Sequence, residues 1–270
     1  MGIFRLAKIK QFLRNLLGDE IATWIHATRF YFLNKTKQKE IDLCLIPLLV
    51  HEGDVVIDIG ANGADWTQVL SRQVGKSGKV YAFEADPYYA EVTRKIIVLL
   101  GLRNVTFFPF GLSDCRETTL LQILDHSNER LSGMGRIIRD ELAQGVEREQ
   151  CLEIRLETLD HLVKDYPDMR RVRFIKCDVE GFELMVYRGA QELLQATRPV
   201  VVSEVGGGYL HGYPDVEVFD FFHQLEYDSY VVVSERPLLR RSNEVGEIPE
   251  GPRPNRVMIP HELSLNLEIQ

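Results

Sequence analysis

Residues 54–65 read DVVIDIGANGAD, and residues 83–87 read FEADP. The first stretch is an apolar run (Val55, Val56, Ile57, Ile59) that ends in an acid and a glycine turn. The second closes a shorter apolar run (Val80, Tyr81, Ala82, Phe83) with Glu84. A buried strand, a glycine turn, a helix and a second strand ending in a carboxylate make a nucleoside-binding βαβ unit. The turn brings backbone N–H groups close to a ligand, and the carboxylate accepts both hydrogens of a ribose diol.

The same rhythm continues outward from this unit. Apolar runs predict strands at 54–59, 79–84, 104–109, 172–177 and 200–205. Helical spacing predicts helices at 65–73, 87–100, 157–165, 181–195 and 215–225. Pro87 suits an early helical position, where its missing N–H costs nothing. Two β-like runs, 118–124 and 152–156, interrupt the alternation around the polar stretch DHSNERLSGMG. Two more lie at 229–234 and 255–259, separated by a Pro-, Arg- and Glu-rich loop or lid at 236–254. Alternating strands and helices imply a mostly parallel sheet with helices on both faces. Ligands of such sheets sit outside the carboxyl ends of the strands. Those ends carry Asp58, Glu84, Asp114, Asp178 with Glu180, and Glu204: an acidic crescent suited to hydroxyls, amines or a positive centre.

The main domain is expected over 51–270, preceded by a helical extension over 1–50. Residues 1–40 hold eight Lys or Arg and three acids, while the whole chain of 270 residues has a net charge of −8. That balance argues against a general nucleic-acid binder. Ile9, Phe12, Leu13, Leu16 and Leu17 recur at helical spacing among Arg5, Lys8, Lys10 and Arg14. This basic amphipathic helix packs on the domain or on a second copy, or residues 1–20 touch a membrane surface. Cys44, Cys115, Cys151 and Cys177 lack metal-ligand spacing and read as reduced thiols. No apolar run reaches the roughly 20 residues that span a bilayer, and a cytoplasmic location is expected.

Three blocks resemble the FkbM family of S-adenosylmethionine-dependent methyltransferases. They are DIGANGADWT at 58–67, FEADP at 83–87 and IKCDVEGFELMVYRGAQELL at 175–194. GLSD at 111–114 and RLETLDHL at 155–162 are weaker echoes. The resemblance covers about residues 50–205. It implies a Rossmann-like class I methyltransferase fold with a mostly parallel seven-stranded sheet, and S-adenosyl-L-methionine as cofactor. One departure is Ala64, where the family has Gly.

Residue chemistry agrees with that implication. Gly60, Asn62 and Gly63 would form the turn beneath the cofactor, with Gly60 allowing close backbone approach. Asp58 would accept from the cofactor's amino group, Glu84 from the ribose, and Asp114 beside Ser113 from the adenine amino group. Asp178 is the leading candidate for the general base, Glu180 a helper, and His211 a second candidate base in the loop GGGYLHGYP. Asp178, Glu180, Glu204 and His211 have no spacing that demands Mg²⁺ or Mn²⁺, and no metal is expected.

The function expected is O-methylation of a hydroxyl on a sugar, glycan or polyketide-type acceptor. The alternatives are a nicotinamide-dependent oxidoreductase and a non-catalytic interaction module. Gly60-Ala61-Asn62-Gly63-Ala64-Asp65 does not meet the G-x-G-x-x-G fingerprint of the first alternative. A module without catalysis would not keep such clustered charge.

Overall fold

The computed structural model describes residues 19–34, 41–125, 127–131, 134–139, 145–232, 238–241, 255–263 and 268–269. The amphipathic stretch 3–17 and most of the expected lid at 236–254 lie outside them.

The chain builds one large sheet from β1 (Val55–Ile59), β2 (Lys79–Phe83), β3 (Val105–Phe108), β8 (Val172–Cys177), β9 (Val200–Ser203), β10 (Tyr227–Val232) and β12 (Arg256–Pro260). Their order across the sheet is β3-β2-β1-β8-β9-β12-β10. The five strands from β3 to β9 run parallel, and β12 inserts antiparallel between β9 and β10. These seven match the expected architecture. Two short strands, β11 (Leu238–Arg241) and β13 (Glu268–Ile269), extend the β10 edge.

Burial explains the parallel centre. All five residues of β1 are buried, as a strand covered on both faces requires. Side chains alternate between faces. Ile57 and Ile59 join the core shared with Phe83, Ile175 and Met258. Val56 joins the other core, with Trp66, Leu70 and Val74 of the helix Asp65–Val74 (α3). The preceding helices are α1 (Asp19–Asn34) and α2 (Ile46–Leu49). Helix α4 (Pro87–Leu100) starts where the sequence places Pro87: the Asp86 carboxylate accepts from the Tyr88 N–H at 2.8 Å and caps it. Helix α1 rests on α4 through Ala27, Val92 and Ile96.

The segment 111–157 folds as a second, four-stranded sheet of β4 (Gly111–Leu112), β5 (Glu117–Gln122), β6 (Arg136–Ile138) and β7 (Cys151–Glu157), in the order β4-β7-β5-β6. It joins the main core through Leu121, Ile137, Ile154 and Leu156. Helix α5 (Leu159–Asp165) follows.

The helix expected over 181–195 is instead two, α6 (Glu183–Arg188) and α7 (Gln191–Thr197). The break falls at Gly189 and Ala190. A Cβ at Gly189 would overlap the Ser113 carbonyl oxygen, so the backbone of the second sheet packs directly against this corner. Helix α8 (Val216–Gln224) completes the order. No helix among the described residues is long and apolar enough to cross a membrane.

Candidate active site

The carboxyl ends of β1, β2 and β8 open into one cleft. Gly60, Asn62, Glu84, Asp86, Asp178 and Glu180 supply its polar wall, and Leu112, Leu121 and Ile137 of the second sheet supply an apolar one. It holds about 830 Å³, counting the part open to solvent.

Gly60 sits at φ +82, in the left-handed region that favours glycine. Its N–H and that of Ala61 both donate to the Phe83 carbonyl, at 3.0 and 2.9 Å, tying the β1 turn to the end of β2. A Cβ on Gly60 would overlap the Asp178 carbonyl oxygen. One glycine therefore lets three strand ends meet. Asn62 (φ +23), Gly63 (φ +84) and Ala64 (φ +64) continue the turn. Ala64 keeps the left-handed conformation without being Gly, and its fully buried methyl packs with Ala27, Val92 and Ile96.

Glu84 is buried, and its two carboxylate oxygens accept from the Asn62 and Asp86 N–H groups, each at 2.9 Å. Burial pushes its pKa up to about 7, against those two hydrogen bonds. Each oxygen keeps a second lone pair for a hydroxyl. The loop before β6 closes over this end: Arg130 grips both Asp86 oxygens at 2.6 Å and stacks over Tyr88.

The other polar group is the turn after β8. Burial raises Asp178, but the Lys176 ammonium, 3.1 Å away, and a hydrogen bond from the Glu204 carboxyl outweigh it and hold Asp178 below the usual range. Glu204 carries the proton of this pair: burial and the neighbouring Asp178 push it up to about 9. Burial and the Asp178 charge push Glu180 up to about 7. Carboxylate oxygens of Asp178, Glu180 and Glu204 all lie within 4.8 Å of one another, a group able to face a cation.

This turn is held from below and from the side. Glu183 is fully buried and accepts from the Val179 and Gly181 N–H groups at 3.0 and 3.2 Å. Burial raises it to about 8. The Tyr213 hydroxyl donates to the Gly181 carbonyl at 2.5 Å, and the His211 Nε2 lies 3.3 Å from the Glu180 carbonyl. Glu180 itself sits at φ +56. Replacing Glu183 by alanine leaves two buried N–H groups without an acceptor, at about 1–3 kcal/mol each. Glu183→Ala should therefore lose about 2–6 kcal/mol in a denaturant titration. Glu183→Gln keeps an acceptor oxygen and should lose less.

Several expected site residues stand elsewhere. Asp58 is not among the cleft-lining residues. Alternation along β1 puts it on the α3 face with Val56, where its carboxylate accepts from the Thr67 hydroxyl. Asp114 and Ser113 are also outside the cleft wall. The Arg139 guanidinium binds Asp114 at 2.5 Å, the Ser113 oxygen at 2.7 Å and Glu117 at 2.8 Å. Burial opposes ionisation of Asp114, but Arg139 and Ser113 lower its pKa overall. Gly63 turns away, its N–H donating to Thr93 at 3.0 Å. His211 is not in the wall, and burial drives its pKa down to about 4. A carbonyl only accepts, so its Nε2 carries the proton, and the ring is a weak base that props the Glu180 turn. Lys176, Glu183 and Arg139 were not singled out from the sequence, and Tyr213, expected with Tyr209 to shape the acceptor pocket, instead holds the Gly181 carbonyl. The i, i+2 spacing of Lys176 and Asp178 was the available signal for one of them.

Four raised carboxyls set the pH dependence of stability. A folded pKa above the unfolded value near 4.5 adds stability that is complete below about pH 4.5 and lost as pH rises through the folded value. Glu84 and Glu180 (about 7), Glu183 (about 8) and Glu204 (about 9) all have this sign. His211, lowered to about 4, opposes this slope up to its unfolded value near 6.5, so the ligand-free protein should lose stability most clearly between about pH 6.5 and pH 9 in denaturant titrations. Glu204→Gln should flatten the upper part of that slope.

Comparison with known proteins agrees with this geometry. The sequence profile of the "Methyltransferase FkbM domain" matches residues 58–229. The FkbM methyltransferase structure from Methylobacillus flagellatus KT superposes with a TM-score of 0.50 at 14% identity, over 95% of this chain and 59% of that one. At such identity the likeness concerns the fold. Two curated relatives match over shorter stretches. A tRNA (adenine(57)-N(1)/adenine(58)-N(1))-methyltransferase of Methanocaldococcus jannaschii is 30% identical over 28% of this chain and 30% of its own length. A protein-L-isoaspartate O-methyltransferase of Fervidobacterium nodosum is 37% identical over 22% of this chain and 30% of its own. The chain thus spans under a third of these curated relatives and 59% of the M. flagellatus chain. With the profile running from the β1 acid through the start of β10, this chain belongs to the FkbM family of S-adenosylmethionine-dependent methyltransferases.

Proposed function

We propose that this protein transfers the methyl group of S-adenosylmethionine to a hydroxyl of a sugar, glycan or polyketide-type acceptor. The observation that carries the reading is the joint lining of one cleft by Glu84 and by the Asp178–Glu180 turn. The donor set fits the cofactor. Glu84 offers acceptor lone pairs for two hydroxyls, Gly60 removes a side chain from the turn, Leu112 and Ile137 offer a flat base an apolar wall, and the acidic turn offsets a positive centre.

When bound, S-adenosylmethionine supplies an electrophilic methyl group. The chain supplies position and proton transfer. Alignment of two reactants in one cleft contributes effective molarities on the order of 10⁵ M or more. Glu180 takes the acceptor hydroxyl proton, because a carboxylate with a pKa near 7 is half ionised at neutral pH and still basic. Asp178, held as a weakly basic carboxylate by Lys176 and Glu204, orients the acceptor and keeps negative charge beside Glu180. His211 serves as a prop of the turn. We assign residues 51–270 to the methyltransferase domain and residues 1–50 to an extension that precedes it.

Titration calorimetry with S-adenosylhomocysteine tests the cofactor site. Glu84→Ala should weaken binding at least tenfold, because it removes the ribose acceptor and leaves the Asn62 and Asp86 N–H groups unpaired. Equal affinity in wild type and variant would refute the assignment. A panel of radiolabelled methyl-transfer assays on sugar and polyketide hydroxyls tests the acceptor class.

A further inference from the structure

A second concavity lies at the opposite edge of the sheet, around the amino-terminal ends of β1 and β8. It holds about 660 Å³ counting the part open to solvent, and Gly53, Asp54, Val55, Arg170, Arg171, Val172, Arg173, Ala196 and Thr197 line it. The three arginines dominate its chemistry. All three are exposed, and none forms an ion pair or side-chain hydrogen bond among the described residues. That is unusual in this molecule. Nine other described arginines reach a carboxylate within 4 Å, in a chain with a net charge of −8.

Val55 pairs with Val172 and Val56 with Phe174, so Arg173 is an extra residue in the β8 ladder. A bulge of this kind re-aims a side chain at the edge of a sheet. Here it puts Arg173 on the wall of the concavity beside Arg170 and Arg171. Among the other polar linings only the Asp54 carboxylate is charged, so three guanidiniums against one carboxylate leave the concavity a net charge of +2. The Asp54 carboxylate accepts from the His51 N–H at 2.7 Å, and the Thr197 hydroxyl donates to the Leu193 carbonyl at 2.8 Å. Asp168, on the same 3-10 turn as Arg170 and Arg171, is taken by Lys79 and Tyr81.

From this geometry we infer that the concavity is an oxyanion site for a phosphate or diphosphate group, remote from the methyl-transfer cleft. Guanidinium forks match phosphate oxygens in pairs, and three together favour a multiply charged group over a single carboxylate. A concave lining favours a compact group over an extended polymer. The same chemistry is presented by a soluble phosphorylated metabolite and by an anionic lipid headgroup.

The test uses the full-length protein with sodium pyrophosphate in titration calorimetry, with sodium chloride at matched ionic strength as control. Wild type should bind pyrophosphate, and the R171S/R173S double variant should bind at least tenfold more weakly. S-adenosylhomocysteine affinity should be equal in both, which also shows that the variant is folded. A second arm sediments wild type and variant with phosphatidylglycerol-containing vesicles. Co-sedimentation that the double variant loses assigns the group to a lipid headgroup. Absence of co-sedimentation, with pyrophosphate binding intact, assigns it to a soluble ligand. Pyrophosphate binding no stronger than the chloride control, or unchanged in R171S/R173S, would overturn the site.

Discussion

Glu180→Gln should slow methyl transfer by about 10²–10⁴-fold, the usual contribution of a general base. The substitution keeps the volume and the backbone of a residue at φ +56, and it removes the proton acceptor. Binding of S-adenosylhomocysteine, which lacks the sulfonium charge, should be unchanged. Wild-type kcat/KM should rise with pH through an inflection near 7, as Glu180 ionises in the free enzyme. The variant should lose that inflection along with the rate. The opposite assignment, Asp178 as base, predicts a rate already at its plateau at pH 5, since Asp178 is held below the usual carboxylate range. A pH profile therefore separates the two carboxylates, although they stand two residues apart. A Glu180→Gln enzyme as fast as wild type would remove Glu180 from the chemistry.

Gly60→Ala should damage both fold and cleft. The left-handed conformation costs an L residue about 1–2 kcal/mol, and forcing extra volume into packed backbone costs roughly 1–3 kcal/mol more. The overlapping atom is the Asp178 carbonyl oxygen, so no flexible side chain can swing away. The expected total is about 2–5 kcal/mol, a fall in melting temperature of roughly 5–15 °C for a chain of this size. Affinity for S-adenosylhomocysteine should fall with it, because β1 and β8 must part where they line the cleft. Gly101→Ala is the control. Gly101 is also left-handed, at φ +62, with nothing within 4 Å of an added Cβ. It should show the conformational cost alone. Equal melting shifts in the two variants would mean that the Gly60 contact with Asp178 is not tight in solution.

Much of the architecture was legible because local chemistry and global fold agree. Strands buried on both faces read as unbroken apolar runs, and the structure keeps β8 at 172–177 and α4 at 87–100 with the boundaries expected. Pro87 announced an early helical position, to which the structure adds the Asp86 cap; Gly60 read as clearance beneath a cofactor, and the structure shows that its missing Cβ also admits the Asp178 carbonyl. Where a long-range contact overrode local periodicity, the reading failed. The uninterrupted helix over 181–195 broke at Gly189, because the Ser113 carbonyl comes from 76 residues earlier in the chain and no local pattern encodes that approach.

The sequence alone determined that strand ends would carry Glu84, Asp178, Glu180 and Glu204, since strand boundaries and residue identities are local properties. Which of these acids share a cavity, and which proton each holds, was decided by tertiary structure. Alternation and helix packing sent Asp58 to Thr67, and Arg139 from the second sheet claimed Asp114. Ionisation follows the same logic. Burial and the charges that folding brings near, Lys176 beside Asp178 and Asp178 beside Glu180, separate carboxyls that are nearly equivalent in an unfolded chain.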